Sequence, residues 1–345
     1  MQYHFYSYKP AIRFHLSNRL DALGWIRAPE CADADFSDKN LTLNDHISKH
    51  LEYKHLLWAL LGTQFPNMMP TSYYINDENY PRVIREVFKA YYKKHKDYGQ
   101  IEEDILWILK PSMLNNGDQI ILFNNLRAIL NHYLSGSRLG GDHVLQRYIH
   151  QPDLIEGHKY TFRIPVVVTN YAGVFVYHNG YINISSVPYH SRVPLSFRKM
   201  HLTNYILDGE LANIRQELAS FVPQFITLYA QMCDVVKNTV LAICRKFPEY
   251  LRLGKEQKFE IFGFDFIVDN KQKLWLLEIN QGPDFPMIPD HKLNKSLWFP
   301  FWEDILHHFV LPIAEKKAPL INYLNFNNVL KPGKIPTRWV HKFWY

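Results

Sequence analysis

Residues 274–283, LWLLEINQGP, have the apolar character of a buried β-strand, yet they contain a carboxylate, Glu278, and an amide, Asn280. Alternate residues of a strand share a face, so these two side chains are predicted to point the same way. The other face is predicted to carry Trp275, Leu277 and Ile279. An unpaired charge in an apolar interior is costly, so Glu278 needs a partner.

The preceding run, FEIFGFDFIVD, supplies a second carboxylate, Asp265. If residues 270–273 form a four-residue hairpin loop, a common length, Asp269 pairs with Leu274. Counting back along both strands then places Asp265 opposite Glu278. Two adjacent antiparallel strands would therefore bring two carboxylates face to face.

Two opposed carboxylates destabilise a sheet, and burial increases the cost. A divalent cation reverses the sign of the interaction, and Mg²⁺ prefers oxygen ligands, commonly together with phosphates. The pattern therefore favours a magnesium site formed by Asp265, Glu278 and Asn280. Two alternatives stay open: an arginine or lysine neutralises the carboxylates, or a different loop length moves Asp265 elsewhere.

Composition bounds the class of protein. The chain has 345 residues, of which 47% are hydrophobic and 15% aromatic, which is typical of a globular protein with two or three packed lobes. No apolar run approaches the roughly 20 residues of a membrane span, and no signal peptide is evident. We expect a soluble, cytoplasmic monomer.

Charge and cysteine content argue against a nucleic-acid-binding protein, a disulfide-stabilised protein and a zinc protein. The net charge of +6 is spread along the chain, so no nucleic-acid partner is expected, although a basic nucleic-acid binder is one hypothesis to test. The spacing of the three cysteines suits neither a disulfide framework nor a zinc site.

Periodicity indicates alternating helices and strands. Strands are predicted at 105–110, which ends in a lysine, at 143–149, and in three runs between 159 and 189. Between 210 and 250 apolar residues recur at intervals of three and four, which predicts helix in two segments separated by Pro223.

The segment 259–283, FEIFGFDFIVDNKQKLWLLEINQGP, resembles the end of the tubulin–tyrosine ligase and tubulin-ligase-like family. The family pattern is F-G-x-D-F-x-[VL]-D, a short polar turn, then W-L-[IL]-E-[VI]-N-x-x-P. Further landmarks, ILKPS, LQRYI, KYTFR and HLTN, occur in the family's order. The match runs from about residue 54 to 283 and is looser outside it.

The resemblance implies an α/β (α+β) ATP-grasp fold, in which two α/β lobes sandwich ATP. We expect a small N-terminal α/β domain at 1–51, a central lobe at 52–152, and a C-terminal lobe with a tail at 153–345. The resemblance also implies a ligase that uses ATP and Mg²⁺ to join a free amino acid to a protein or peptide carboxylate through an acyl phosphate. Tubulin is one candidate acceptor.

The resemblance implies a role for each matching residue. The nucleotide-contacting set is Lys110, Gln146, Arg147, Tyr148, Ile149, Lys159, Thr203, Asn204 and Asp265. The catalytic cations are Arg163 and Lys159, and the metal ligands are Asp265, Glu278 and Asn280. Lys54 matches another nucleotide-contacting lysine weakly and is interpreted here as a solvated helix lysine.

Departures from the family pattern fall mainly on the substrate side. Thr161 replaces an aspartate of the K-[FY]-D-x-R motif, and Asn183 stands where tyrosine-ligating members have an arginine. The loop after Lys110 keeps one glycine, Gly117, of the several that usually cover the phosphates. The alternative function is therefore an ATP-binding module that has lost ligase activity or changed its acceptor.

Overall fold

The computed structural model describes residues 1–6, 9–91, 106–114, 117–190, 194–204, 206–207, 210–211, 214–318 and 322–331. Within these ranges helices combine with three main sheets, so the predicted mixed α/β class is confirmed. No helix in these ranges combines the length and apolar character that crossing a bilayer requires. Residues 332–345, which include the end of the predicted C-terminal tail, and the predicted strand residue 105 lie outside the described residues.

The N-terminal part of the chain forms a small parallel sheet with flanking helices. Its strands are β1 (Gln2–His4), β2 (Ile26–Arg27) and β3 (Phe36–Ser37), with β1 in the middle. Its helices are α1 (Pro10–Ala22), α2 (Asp45–Glu52) and α3 (Lys54–Leu61). Pro10 occupies the first turn of α1, where a missing amide costs nothing. Asn44 caps α2 by accepting from the amide of Ile47.

The central part forms a four-stranded antiparallel sheet. Its elements are β4 (Ser72–Ile75), α4 (Tyr80–Tyr91), β5 (Trp107–Pro111), β6 (Ile121–Phe123), α5 (Leu126–Leu134) and β7 (His143–Arg147). The strand order is β4-β7-β5-β6. Helices α4 and α5 cover one face and bury Val83 and Ile129 against Trp107 and Leu145. The strands predicted to end in Lys110 and to contain LQR are confirmed.

The C-terminal part forms an eight-stranded antiparallel sheet. Its strands are β8 (Leu154–Ile155), β9 (His158–Thr169), β10 (Val174–Tyr177), β11 (Tyr181–Pro188), β14 (Arg215–Leu218), β15 (Phe259–Val268), β16 (Leu274–Gln281) and β17 (Phe326–Leu330). A separate hairpin pairs β12 (Ile206–Leu207) with β13 (Glu210–Leu211). The helices are α6 (Arg198–His201), α7 (Phe225–Lys246), α8 (Phe299–Ile305) and α9 (Leu311–Ala314). Long strand β9 pairs with β8, β10, β11 and β15 and so organises the sheet.

Two apolar cores lie on opposite faces of this large sheet. One core packs α2, α3 and α7 against residues such as Phe264, and the other packs α1 and α8 against residues such as Phe259. The N-terminal helices thus contribute to both faces of the C-terminal sheet. The three main sheets fall within 1–51, 52–152 and 153–345, while the exact domain boundaries stay a prediction.

The helix predicted before Pro223 is wrong. Residues Arg215–Leu218 form strand β14, and a 3₁₀ turn, Ala219–Phe221, leads to the helix after the proline. Strand β14 pairs with β11, with Gln216 opposite Asn183. Pairing to an available sheet edge outweighs a short helical spacing of apolar residues. Helix α7 confirms the second predicted segment.

A buried carboxylate ties α2 to the last hairpin. Glu260 of β15 has 0% exposure. Its Oε2 accepts a hydrogen bond from Ser48 Oγ of α2 at 2.7 Å, and its Oε1 accepts one from Gln281 Nε2 of β16 at 2.5 Å. Burial raises the pKa of Glu260 to about 7, although both hydrogen bonds lower it.

We expect Glu260→Gln to stabilise the protein increasingly as the pH rises from about 5 to 8. The pKa of Glu260 is about 7 in the fold against an ordinary 4.5. Wild-type stability attributable to this group is therefore full below 4.5 and is lost as the pH rises through 7. The maximum slope is about 1.4 kcal/mol per pH unit. The glutamine amide can donate to Ser48, whose hydroxyl also lies 3.1 Å from the Tyr250 hydroxyl.

Urea unfolding of both proteins across this pH range measures the effect. The exposed Glu256→Gln variant is the matched control and should show no such trend. A difference between Glu260→Gln and wild type that does not change with pH would contradict the burial of an uncompensated carboxyl group.

Candidate active site

The last hairpin places Asp265 directly opposite Glu278, as the sequence predicts. The hairpin loop and the strand register that produce this pairing differ from the predicted ones. Val268, not Asp269, pairs with Leu274, so the loop is one residue longer, and a β-bulge next to Asp265 restores the predicted register. The side chain of Asp269 explains the longer loop, because its Oδ1 accepts from the amides of Lys271 and Lys273.

The bulge changes which side chains share a face. Leu277 is the extra residue, and it lines the same cleft as Glu278. The prediction that Leu277 points away from Glu278 is therefore wrong. Trp275 is half-buried, and its indole donates to Asp269 outside the apolar core. Ile279 is buried as predicted, together with Leu274 and Leu276.

Three charged residues form a row across neighbouring strands β9, β15 and β16. Arg163 pairs in register with Asp265, and Asp265 with Glu278. Arg163 Nε and Nη2 donate to the two carboxylate oxygens of Asp265, each at 2.6 Å. Gly263 makes room for this contact, because a Cβ there would lie 3.2 Å from Arg163 Cδ and 3.1 Å from the Cβ of Pro283.

Lys54 is the second cation at the carboxylate pair. Its Nζ lies 3.6 Å from Glu278 Oε2 and donates to the carbonyl of Leu114 at 2.9 Å. Only 8% of Lys54 is exposed, so its interpretation as a solvated lysine is wrong. Helical spacing places Lys54 on the same face as Leu57 and Leu61, but only the packing of α3 against the large sheet buries that face.

One open cleft gathers nearly all the predicted site residues. It encloses about 910 Å³ of empty volume, part of it open to solvent, between the four-stranded and eight-stranded sheets. Eleven of the twelve predicted residues line it: Lys110, Gln146, Arg147, Tyr148, Ile149, Lys159, Arg163, Thr203, Asn204, Asp265 and Glu278. Asn280 does not line the cleft, but its Nδ2 donates to Asp265 Oδ2 at 3.2 Å.

Two lysines of the cleft are buried with neutral partners. Lys110 Nζ donates to Gln146 Oε1 at 2.8 Å. Lys159 Nζ donates to the Tyr148 hydroxyl at 2.9 Å and to the His201 carbonyl at 2.6 Å. Neither forms an ion pair with a carboxylate of the described residues within 4.0 Å. Only 7% of Lys110 is exposed, although it lies near the end of β5.

Burial depresses the pKa of both lysines. It lowers the pKa of Lys110 to about 8, with Glu278 partly opposing and Lys54 adding to the effect. It lowers the pKa of Lys159 to about 7, and repulsion from Lys110 contributes. Four basic side chains, Lys54, Lys110, Lys159 and Arg163, thus line the cleft together with two carboxylates. Such an excess of positive charge in a partly buried cleft favours an anionic ligand.

The pKa values of the two carboxyl groups, Asp265 and Glu278, differ. Burial raises the pKa of Asp265 to about 6, Arg163 opposes the rise and Glu278 adds to it. Burial also acts to raise the pKa of Glu278, but Lys54, Lys110 and Arg163 outweigh it and leave the value at about 2. The adjacent carboxylates therefore hold one proton more readily than isolated ones would. A divalent cation held by Asp265 and Glu278 would compete with this proton.

The carboxylates of Asp265 and Glu278 supply the oxygen ligands that suit a hard cation. Asn280 turns its amide nitrogen to Asp265, and Arg163 pairs with both Asp265 oxygens. The alternative in which an arginine neutralises a carboxylate is therefore realised at Asp265. The described residues contain no group of three or more His, Cys, Asp or Glu side chains placed to hold a metal.

Residues 146–149, which lead from the four-stranded sheet towards the eight-stranded sheet, border the cleft. Two of their backbone amides already donate hydrogen bonds within the protein. The amides of Arg147 and Tyr148 donate to the carbonyls of Thr71 and Leu106 at 2.8 and 2.9 Å. If these residues bind the adenine of ATP, the hydrogen bonds would therefore come from polar groups other than these two amides. The buried ring of Tyr148 and the side chain of Ile108 provide the apolar wall.

The HLTN segment follows a helix instead of starting one. Helix α6 ends at His201. The Thr203 hydroxyl lies 2.7 Å from the Thr161 hydroxyl. Asn183 Oδ1 accepts from Gln216 Nε2 at 2.9 Å. The two positions that depart from the family pattern thus face the cleft with neutral polar groups.

Comparison with known proteins decides the family. Residues 75–319 match the sequence model of the tubulin-tyrosine ligase family. The chain belongs to this family. The family resemblance drawn from the sequence is thereby confirmed, together with the ATP-grasp class that it implies.

Several relatives of this tubulin-tyrosine ligase family member are named as tubulin polyglutamylases or glycylases. The human tubulin polyglutamylase TTLL13 is 30% identical over 57% of this chain and 26% of its own length. The mouse probable tubulin polyglutamylase TTLL2 is 27% identical over 75% of this chain and 47% of its own length. The tubulin glycylase 3C of Tetrahymena thermophila is 27% identical over 58% and 20%. The chain thus spans less than half the length of each of these relatives.

We expect Lys159→Met to stabilise the nucleotide-free protein, most strongly near pH 7. The pKa of Lys159 is about 7 in the fold against an ordinary 10.5, so folding releases its proton between these values. Wild-type stability attributable to this group therefore rises with pH across that window, by at most about 1.4 kcal/mol per unit. The methionine variant lacks this rise, and its advantage should shrink towards pH 10.

Chemical denaturation at several pH values between 7 and 10 measures the difference. Lys271→Met, on the exposed hairpin loop, is the control and should show no trend. If Lys159→Met gained no stability relative to wild type at the lower pH, the account of a buried, uncompensated ammonium group would fail.

Proposed function

We propose that this chain is an ATP- and Mg²⁺-dependent ligase that adds an amino acid to a protein or peptide carboxylate through an acyl phosphate. One observation carries the proposal: four cations and two opposed carboxylates line a single cleft between two sheets. A triphosphate with Mg²⁺ supplies the complementary charges. Family membership supports the same reaction class.

The proposed reaction requires positioning and charge neutralisation more than a covalent nucleophile. A carboxylate is a poor electrophile, and phosphorylation gives it a leaving group that an amine can displace. Lys110 and Lys159 would hold the phosphates, and Arg163 would neutralise charge on the phosphoryl group as it transfers. Arg163 is oriented for this by its two hydrogen bonds to Asp265.

Asp265, Glu278 and Asn280 are proposed to hold Mg²⁺, which when bound neutralises phosphate charge. Lys54 would keep Glu278 ionised, because its charge contributes to the low pKa of that carboxyl group. Gln146, Arg147, Tyr148 and Ile149 would border the base. Thr203 and Asn204 would contact the sugar or the incoming substrate.

The relatives suggest which substrates to test first. They are named tubulin polyglutamylases and a tubulin glycylase, so glutamate and glycine are the first amino acids, and tubulin the first acceptor. The neutral side chains of Thr161 and Asn183 on the cleft support a substrate preference that differs from that of tyrosine-ligating members.

A second candidate is an ATP-binding module without ligase activity. It is motivated by Thr161, whose hydroxyl pairs with Thr203, and by Asn183, whose carbonyl oxygen pairs with Gln216. Neither side chain brings charge to the substrate side. Such a protein would bind ATP with Mg²⁺ and yet form no ADP with any acceptor.

Mass spectrometry distinguishes the two candidates. The purified chain is incubated with ATP, Mg²⁺, each amino acid, and either tubulin or a cell lysate. A ligase produces ADP together with acceptor masses increased by one amino-acid residue. ATP binding without any such mass increase would favour the module.

We expect Glu278→Gln to reduce ADP formation by at least about a hundredfold while the protein stays folded, because the variant loses a charge needed at the metal and phosphates. Thermal unfolding and circular dichroism check the fold. Glu256→Gln, at an exposed position, is the matched control and should retain turnover. Turnover by Glu278→Gln at the wild-type rate would refute the assignment.

A further inference from the structure

The turn formed by residues 117–120 borders the cleft from the central part of the chain. Gly117 and Ile120 line the cleft, and the amide of Ile120 donates to the Gly117 carbonyl at 3.3 Å. Gly117 has a positive φ of 71°, a conformation that glycine adopts without strain. This is the loop that holds a single glycine where related sequences have several.

Arg198 of the C-terminal part reaches across to this turn. Its Nη2 donates to the Gly117 carbonyl at 2.7 Å, and its Nη1 donates to the Ile120 carbonyl. Because one planar guanidinium binds both carbonyls, it fixes the orientation of the turn as well as the distance between the turn and Arg198. The carbonyl and the next amide of one peptide group point in opposite directions, so the Asp118 amide is oriented too.

Arg198 is itself attached to the large sheet. It begins helix α6, and the carbonyl of its neighbour Lys199 accepts a hydrogen bond from Ser185 Oγ at 2.9 Å. Ser185 lies on β11 and is 2% exposed. The same helix leads into the cleft residues Leu202, Thr203 and Asn204. The turn is therefore connected through Arg198 to the strand and segment that border the opposite side of the cleft.

Apolar side chains also meet beside these two hydrogen bonds. Leu202 packs with Ile108 and Tyr148, and Ile120 packs against the same group. The two parts of the chain thus also meet through apolar contacts beside Arg198, whose own side chain is half-buried. The other end of the loop is held independently, because Lys54 donates to the Leu114 carbonyl.

We propose that Arg198 is a positioning residue that holds the 117–120 turn over the nucleotide and slows nucleotide release. This inference rests on the proposed function, since it concerns the same cleft. In related sequences several glycines let the loop approach the phosphates. Here one glycine remains, and the arginine supplies from the opposite part of the chain the orientation that the loop sequence alone does not.

The first test follows the turn without any nucleotide. Amide hydrogen exchange is measured on peptides covering residues 117–123 in wild type, Arg198→Ala, Arg198→Lys and Lys199→Ala. We expect about tenfold faster exchange in Arg198→Ala and an intermediate rate in Arg198→Lys, because a lysine cannot span two carbonyls with a planar fork. Lys199→Ala, whose exposed side chain is adjacent, should match wild type. Unchanged exchange in Arg198→Ala would overturn the proposal.

The second test measures release of a fluorescent ATP analogue with Mg²⁺ by stopped flow. Dissociation should be about tenfold faster from Arg198→Ala than from wild type and Lys199→Ala, with no matching loss of thermal stability. Faster exchange in the turn with unchanged dissociation would overturn the role in nucleotide retention. Absence of binding by wild type would instead contradict the proposed function, while the exchange result would still decide whether Arg198 holds the turn.

Discussion

The excess of positive charge in the cleft is the constraint on which the rest of the site depends. Lys110 and Lys159 are buried and hydrogen-bond only to neutral partners in the described residues. A fold that lowers the pKa of two lysines by burial sacrifices stability at that position. The cost has a physical rationale if the cleft receives a polyanion, because bound phosphates would restore the charged form of both lysines.

The scaffold explains how residues distant in sequence reach this cleft. Strand β9 carries Lys159 and Arg163, and its neighbours β15 and β16 carry the opposed carboxylates. Helix α3 brings Lys54 to Glu278 from the N-terminal side. The four-stranded sheet contributes Lys110 and Gln146 from adjacent strands β5 and β7. Each cation therefore stands on a regular element, which fixes its position better than a loop would.

Much of the site could be predicted from the sequence, because strand alternation and the order of motifs identify faces and neighbours. The order of motifs identified Lys159 and Arg163 as site residues, and counting across the hairpin paired Asp265 with Glu278. That count succeeded because two errors cancelled: the loop is one residue longer and a bulge inserts Leu277. Bulges depend on side chains such as Asp269 that stabilise a particular turn, and periodicity does not reveal them.

Three other features could not be predicted from the local sequence pattern. Lys54 looks like a surface lysine until α3 is packed against the large sheet, and strand β14 looks helical until β11 offers it an edge. The contact between Arg198 and the 117–120 turn joins residues about 80 positions apart with no periodic signal. Tertiary packing decides all three.

Titration calorimetry of a non-hydrolysable ATP analogue with Mg²⁺ tests the central claim most directly. The titration is carried out near pH 8 in two buffers that differ in ionisation enthalpy. The account predicts one bound nucleotide and net proton uptake by the protein, because phosphates restore the charge on Lys110 and Lys159. Failure to bind, or binding with no proton uptake, would contradict it.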